Sequence, residues 1–476
     1  MTAHLKEKIS TLFHKQFSIF PQEITELAAS GSNRIYFRIR SDSISSIAAY
    51  NNDTKENLAF INFTKQFQKA GLPVPIVLQE DLNENIYLLN DLGDETLYSY
   101  LENNKAQGFT ISLIELYKNV LRDLLRFQFE TRNSFDYSAC YPRASFDKQS
   151  MMWDLNYFKY YFLKLAGIQF DEQKLEDDFI VFSDYLLKTD CNYFLYRDFQ
   201  SRNIMLHNNK VFYIDYQGGR KGALQYDVAS LLYDAKADIP QKLREELLDY
   251  YIQLLKHETL IDETLFRQFY YGYVLIRIMQ AMGAYGFRGF YENKTHFLKS
   301  IPYAVANLKW VISNIELPIK VDTLLDVFHN ITTSEKLQKF SIEKADKLTV
   351  YINSFSYKKG YPLDSSGNGG GFVFDCRALP NPGRYEQYKS LTGKDDSVKT
   401  YLEEYSEVEL FFKNTANLVC QSVSNYIKRG FNILTVNYGC TGGQHRSVYF
   451  AEQLAKLLRN KYEIKVVLTH KEQPTI

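Results

Sequence analysis

The sequence predicts two domains of different class: a two-lobed α+β domain over residues 1–333 and an α/β domain over residues 347–476. Three observations lead there. The 476 residues exceed what one hydrophobic core organises, so at least two domains are expected. Residues 20–90 alternate strand-like runs with turns, whereas residues 95–331 follow helical spacing. Beyond residue 345 a strand, a glycine-rich loop, a helix and another strand succeed one another, as in a parallel-sheet crossover.

In the small lobe, about residues 1–90, strands are expected at 23–29, 35–40, 46–50 and 85–90, with one helix over 56–68. Asp91, Leu92, Gly93 and Asp94 then form a natural hinge before the helical lobe of about 95–333. There Leu97, Tyr100 and Leu101, then Leu113, Leu116, Val120, Leu121 and Leu124, recur at helical spacing. The most apolar stretch, 270–287, is interrupted by Arg277 and Gln280 and reads as a buried helix rather than a membrane span. Polar residues with fading periodicity mark a linker over 334–346. After it, strands are expected at 348–355 and 371–378 and helices at 397–408 and 410–428. A strand at 432–437, a loop at 438–445, a helix at 446–460 and a strand at 464–468 complete the domain. Val448, Ala451, Leu454, Leu457 and Leu458 line one face of that helix, as packing on a sheet requires. No internal repeat is visible.

Composition narrows the function classes. Lys plus Arg equals Asp plus Glu at 56 each, so no global charge argues for nucleic acid, membrane or acidic partners. The 37 Tyr and 34 Phe point to aromatic packing among helices. Five Cys (140, 191, 376, 420 and 440) form no CxxC and leave one unpaired, which suggests a reducing compartment without structural disulfides or zinc. The start of the sequence is polar and lacks a hydrophobic signal core. A soluble cytoplasmic protein is expected.

The residues richest in chemistry run from Tyr196 to Met205 and from Tyr213 to Tyr216. Residues 203–207 read as a strand, Asn208 and Asn209 as a tight turn, and 210–214 as the returning strand, because Asn tolerates the positive φ of primed turns. Pairing outward from that turn sets Asn203 opposite Ile214, so Asn203 and Asp215 share one end of the hairpin. Asp198, five residues before Asn203, lies on the loop leading into that end. Two oxygen ligands there suit Mg²⁺, which takes its remaining ligands from water and phosphates. Asp198 is then placed to accept the proton of an attacking hydroxyl. The alternative is a chance spacing in which Asp215 merely ends a strand.

Downstream, Gly218, Gly219, Arg220, Lys221 and Gly222 form a loop, and the run from Gln225 to Leu232 opens a helix around Asp227. With the runs 32–38 and 88–94, these motifs resemble the aminoglycoside phosphotransferase and choline kinase family over residues 20–330. Within that family the likeness is nearest to bacterial kinases of the anomeric hydroxyl of N-acetylmuramate and N-acetylglucosamine. The resemblance implies a protein-kinase-like bilobal fold and an ATP- and Mg²⁺-dependent phosphotransferase acting on an amino sugar. It implies Asp198 as catalytic base, Asn203 and Asp215 as magnesium ligands, and Asp227 as a brace for the loop. Gly31, Ser32, Asn33, Arg34 and Glu56 are the nucleotide-side candidates. Two departures stand out: Tyr196 replaces the usual His, and the run Ser46 to Tyr50 lacks the expected strand lysine. Arg34 or Arg38 is the candidate substitute, an Arg fork being suited to phosphate. These departures leave open a second reading, a regulatory adapter that binds nucleotide with weak or no catalysis.

The second site is the run Gly439, Cys440, Thr441, Gly442, Gly443, Gln444, His445, Arg446 and Ser447, joining a strand to a helix. Small residues let the backbone wrap closely, and first-turn N–H groups have no helical partners, so the loop suits an anion. Cys440 and Arg446 also stand at the spacing of cysteine-dependent phosphatases, although Gly439 replaces their usual His. The fuller likeness is to the RapZ C-terminal domain. It rests on the runs 354–360, 372–377, 379–382 and 391–393 and on the loop itself, and spans nearly all of residues 347–470. That likeness implies that Cys440 through Arg446 hold the phosphate of a sugar phosphate such as glucosamine-6-phosphate. Asp375 and Arg377 are further candidates for sugar or anion contact, or else a structural ion pair. No Walker-type loop is present, and Lys471 beside Glu472 is a poor phosphate-backbone contact, so RNA is not expected as a partner.

Overall fold

The computed structural model describes residues 2–27, 34–42, 44–132, 134–338, 340, 348–362, 371–429 and 431–473. Gly31, Ser32 and Asn33, and most of the expected linker, lie outside the described residues. The chain divides into two compact units, Met1–Ala284 with Tyr303–Ser334, and Tyr285–Pro302 with Glu335–Ile476. The segment Tyr285–Pro302 therefore groups with the second unit although it lies within the first in sequence.

The first unit begins with α1 (Thr2–Phe17), which the strand pattern of the small lobe did not reveal. A five-stranded antiparallel sheet in the order β1–β2–β3–β5–β4 follows. Its strands are β1 (Glu23–Glu26), β2 (Ile35–Ser41), β3 (Ile44–Tyr50), β4 (Val77–Asp81) and β5 (Ile86–Asn90), with α2 (Thr54–Lys69) between β3 and β4. Strand β4 was not expected; Gln79, Glu80 and Asp81 give it too little apolar alternation to read as a strand. Along β2 the two-residue period sorts the side chains. Phe37 and Ile39 join Leu5, Ile9, Leu12 and Phe13 of α1 in one apolar cluster. The alternate set, Arg34, Tyr36 and Arg38, belongs to the opposite face.

After the hinge come α3 (Leu97–Asn103), α4 (Ile111–Phe129), α5 (Lys148–Tyr157), a π-helical turn, α6 (Lys164–Ala166) and α7 (Glu172–Leu186). Then β6 (Tyr193–Leu195), β7 (Ile204–His207), β8 (Lys210–Tyr213) and β9 (Arg220–Gly222) pair as β6 with β9 and β7 with β8. Helices α8 (Leu224–Leu232), α9 (Gln241–Glu258), α10 (Glu263–Tyr285), α11 (Ile301–Asn314) and α12 (Asp322–Thr333) follow, and α13 (Glu335–Gln338) groups with the second unit. The start of the expected linker is thus helical, in α13. The apolar stretch around Arg277 is a buried part of α10, and no helix among the described residues is long and apolar enough to cross a membrane.

The second unit carries β10 (Thr349–Ser356), β11 (Phe372–Asp375), α14 (Asp396–Glu403), α15 (Ser406–Lys428), β12 (Ile433–Cys440), α16 (Arg446–Lys461) and β13 (Lys465–His470). Its four strands are all parallel in the order β11–β12–β10–β13. Helix α16 crosses from β12 over β10 to β13, and Ala451, Leu454, Ala455 and Leu458 share a core with Val350, Ile352 and Val436. The glycine loop therefore lies at the carboxyl edge of a parallel sheet, where ligands of α/β folds bind.

Candidate functional site

The hairpin register sets the first site. His207 pairs with Lys210 and Ile204 with Tyr213, while Asn208 (φ 50°) and Asn209 (φ 58°) supply the primed turn. The ladder extends one step further, since the Ile214 amide donates to the Asn203 carbonyl at 3.0 Å. Asn203 and Asp215 are thereby held together. Asn203 Nδ2 donates to the Asp198 carbonyl at 2.8 Å and faces Asp215 Oδ2 at 3.3 Å. Gln217 Nε2 holds Asp215 Oδ1 at 2.7 Å, a contact the sequence gave no cause to single out. Asp215 itself sits at φ 69°, a region unfavourable for a residue with a Cβ.

The loop carrying Asp198 is clamped from behind. Asp227 of α8 is fully buried and accepts the amides of Tyr196 at 2.6 Å and Arg197 at 3.0 Å. Burial pushes the Asp227 carboxyl up to about 7, against the pull of those two amides. Tyr196, at the usual His position, donates its hydroxyl to the Ile214 carbonyl at 2.6 Å and so ties the loop to the strand leading to Asp215. Its ring meets Phe127, Phe199 and Tyr216 edge-on, at centroid distances of 5.7, 5.1 and 5.9 Å. The abundant aromatics thus form the floor beneath the loop. Gly219 is required here, because a Cβ would lie 2.3 Å from the Phe194 ring. Arg197 (φ 83°) is held by Asp154, Nη1 to Oδ2 at 2.7 Å and Nη2 to Oδ1 at 2.5 Å.

Glu56, on the first turn of α2, lies 3.4 Å from Arg34 Nη2, and Arg34 Nη1 is 3.9 Å from Asp215 Oδ1. Arg34 is buried and also donates to Tyr36 Oη at 3.3 Å. Arg34, immediately before β2, thus contacts both Glu56 and Asp215. Arg38 instead binds the hinge, through Asp91 at 2.8 Å and Asp94 at 2.9 Å. Burial, then the charge of Asp198, raises the Asp215 carboxyl, with Arg34 pulling the other way. Among the described residues no three His, Cys, Asp or Glu side chains form a metal cage. The hard oxygens of Asp215 and Asn203 fit Mg²⁺, which needs few protein ligands. Arg277 Nη1 of α10 lies 3.9 Å from Asp198 Oδ1. A lone arginine inside an apolar helix was the one sequence signal for it.

The glycine loop of the second unit is anchored by its own side chains. Gln444 Nε2 donates to the Leu391 carbonyl at 2.7 Å, and His445 Nε2 lies 2.8 Å from the Tyr388 carbonyl. Arg446 Nη1 donates to the carbonyls of Arg377 and Leu379, both at 2.8 Å. His445 and Arg446, expected to hold an anion, are thus engaged in fixing the loop. The exposed residues Thr441 and Gly442, with Gly443 (φ 67°), precede the α16 N-terminus, whose cap residue makes no side-chain cap. Asp375 and Arg377 form a bidentate pair with each other, and that partner, with Arg446 adding its charge, holds Asp375 below the usual carboxylate range. Cys440 is buried, its Sγ 3.2 Å from Ser447 Oγ. All five cysteines are free.

Comparison with known proteins assigns both parts. A model described as the phosphotransferase enzyme family matches residues 23–262, and one described as the RapZ C-terminal domain matches residues 348–474. A nucleotide-binding protein of Fervidobacterium nodosum is 39% identical over 153 residues, 32% of this chain and 51% of that protein. One of Xylella fastidiosa is 37% identical over 134 residues, 28% of this chain and 44% of that protein. The chain spans about half the length of these curated relatives. Among solved structures, choline kinase LicA from Streptococcus pneumoniae is 13% identical with a TM-score of 0.44, covering 64% of this chain and 99% of its own. Choline kinase from Cryptosporidium parvum is 11% identical with a TM-score of 0.46, covering 68% and 99%.

Proposed function

We propose that this chain, which belongs to the phosphotransferase enzyme family and carries a RapZ C-terminal domain, is an ATP-dependent kinase of an amino sugar of the cell-wall pool. Its second unit, in this reading, binds a sugar phosphate such as glucosamine-6-phosphate. The observation that carries the kinase reading is the hairpin end at which Asn203 bridges the Asp198 backbone and the Asp215 carboxylate.

In the proposed reaction Asp198 accepts the proton of the acceptor hydroxyl, whose oxygen forms a bond to the γ-phosphorus. The bond from that phosphorus to the β,γ-bridging oxygen breaks, and ADP leaves with the electron pair. Asn203 and Asp215 would hold Mg²⁺, which neutralises charge on the phosphates. Arg34, braced by Glu56, supplies the positive charge on the nucleotide side. Asp227 and Tyr196 fix the loop so that Asp198 needs no rearrangement to act.

For the second unit, the loop at the carboxyl edge of the parallel sheet supports phosphate binding through backbone amides. A phosphatase would need an accessible thiolate, and the burial of Cys440 speaks against that alternative.

The test is an ATP-turnover screen of the purified chain over amino sugars, sugars and amino alcohols. Turnover of an amino sugar is expected, with Asp198→Asn lowering kcat by about 10²–10⁴-fold at unchanged melting temperature. ATP binding without turnover of any acceptor would replace the kinase by the regulatory adapter.

A further inference from the structure

We infer that the acceptor of this kinase carries an anionic group close to the hydroxyl that is phosphorylated, and that Arg277 binds it. The inference rests on the kinase reading, in which Asp198 faces the acceptor. It adds that the acceptor is neither cationic nor neutral.

Arg277 stands in a run of α10 whose neighbours Tyr273, Val274, Leu275, Ile276, Ile278 and Met279 are all buried. A charge placed there is costly unless it is paired. Arg197, next to Asp198 in sequence, shows what full pairing looks like: both of its terminal nitrogens meet Asp154. Arg277 has no such partner. Its hydrogen bonds run through Nη1 to neutral acceptors, Tyr226 Oη at 3.2 Å and Gln280 Oε1 at 2.6 Å. Among the described residues its one carboxylate contact is Asp198, at 3.9 Å. Nε is buried without a hydrogen-bond partner among the described residues. The Nε–Nη2 edge of the guanidinium, the fork that matches a carboxylate or a phosphate, thus takes no hydrogen bond among the described residues.

The placement assigns that edge to the acceptor side. Arg34 lies 3.4 Å from Glu56 and 3.9 Å from Asp215, and Asn203 links Asp215 to the Asp198 backbone, whereas Arg277 lies 3.9 Å from the Asp198 carboxylate. Asp198 is the shared member, with the nucleotide-side residues on one hand and Arg277 on the other. A cationic acceptor would meet a buried arginine beside the base; an anionic one completes its fork.

Three probes that differ in charge test this: N-acetylmuramate, its methyl ester, and N-acetylglucosamine. With the purified chain and Mg²⁺-ATP, the acid is expected to have a KM about ten- to a hundred-fold below that of either neutral sugar, the range of one charged hydrogen bond. Arg277→Gln should abolish this preference by raising the KM of the acid alone, and Arg277→Lys should restore part of it. The comparison of acid with ester needs no variant, so a poorly folding Arg277→Gln does not spoil the test. Equal use of acid and neutral sugars overturns the inference, as does an Arg277→Gln variant that slows acid and neutral acceptors alike, which would place Arg277 on the transferred phosphoryl group. If no sugar turns over, the kinase reading fails separately, and melting shifts decide: a shift with the acid but not the ester sustains the anion site, and any other pattern overturns it.

Discussion

Arg34 makes the contact with Glu56 for which the sequence offered no lysine on β3. The strand alternation that sends Phe37 and Ile39 to the α1 cluster leaves Arg34 and Arg38 on the other face. There Arg34 meets Glu56 and Asp215, while Arg38 meets Asp91 and Asp94. The longer, forked arginine reaches from β2 to the helix that a β3 lysine would otherwise have addressed. Arg34→Met should therefore raise the KM for ATP about ten-fold or more, since a charged hydrogen bond contributes roughly 1.5–3 kcal/mol. Arg34→Lys should recover part of the loss. Steady-state kinetics at saturating acceptor read both, and an unchanged KM for ATP would remove Arg34 from the nucleotide site. The sequence showed the two arginines but not which of them turns to Glu56. That choice follows from the sheet register, in which Ile35 pairs with Tyr50 and so sets Arg34 at the end of the strand nearest α2.

At the scale of elements, both candidate sites are junctions between a strand end and a neighbouring element. The β7–β8 hairpin was readable because Asn208 and Asn209 fix the turn and, with it, the partner of every residue outward. The β12–α16 junction was readable because glycines precede an amphipathic helix. Less readable was the role of the side chains that follow. Gln444, His445 and Arg446 hold carbonyls of the 377–391 segment, and no local pattern reports partners more than fifty residues away. Gly443 is the sensitive point of this element. Its φ is 67°, and a Cβ there would lie 2.4 Å from Glu472 Cγ and 2.9 Å from the Ser356 amide nitrogen. Gly443→Ala should cost about 1–3 kcal/mol in local strain and abolish the melting shift proposed for glucosamine-6-phosphate. Turnover of ATP with an acceptor should persist, and a retained shift would place the sugar phosphate elsewhere.

For the whole molecule, the two parts are proposed to concern related ligands: an acceptor sugar in the first and a sugar phosphate in the second. If the parts communicate, glucosamine-6-phosphate should change the affinity for ATP, and ATP should change the affinity for the sugar phosphate by the same factor. Paired titrations by calorimetry measure both factors. Independence of the two affinities would make the chain a tandem of separate functions. The sequence by itself determined the class of each part, because hydrophobic period and turn chemistry are local properties. It also determined the grouping of Asn203 with Asp215, since a two-residue turn fixes the hairpin register. The tertiary structure alone decided what surrounds that group. Asp227 clamping the loop, Arg34 against Glu56 and Arg277 beside Asp198 all join residues from different elements. Such contacts depend on how helices and sheet pack in space, and no spacing along the chain encodes them.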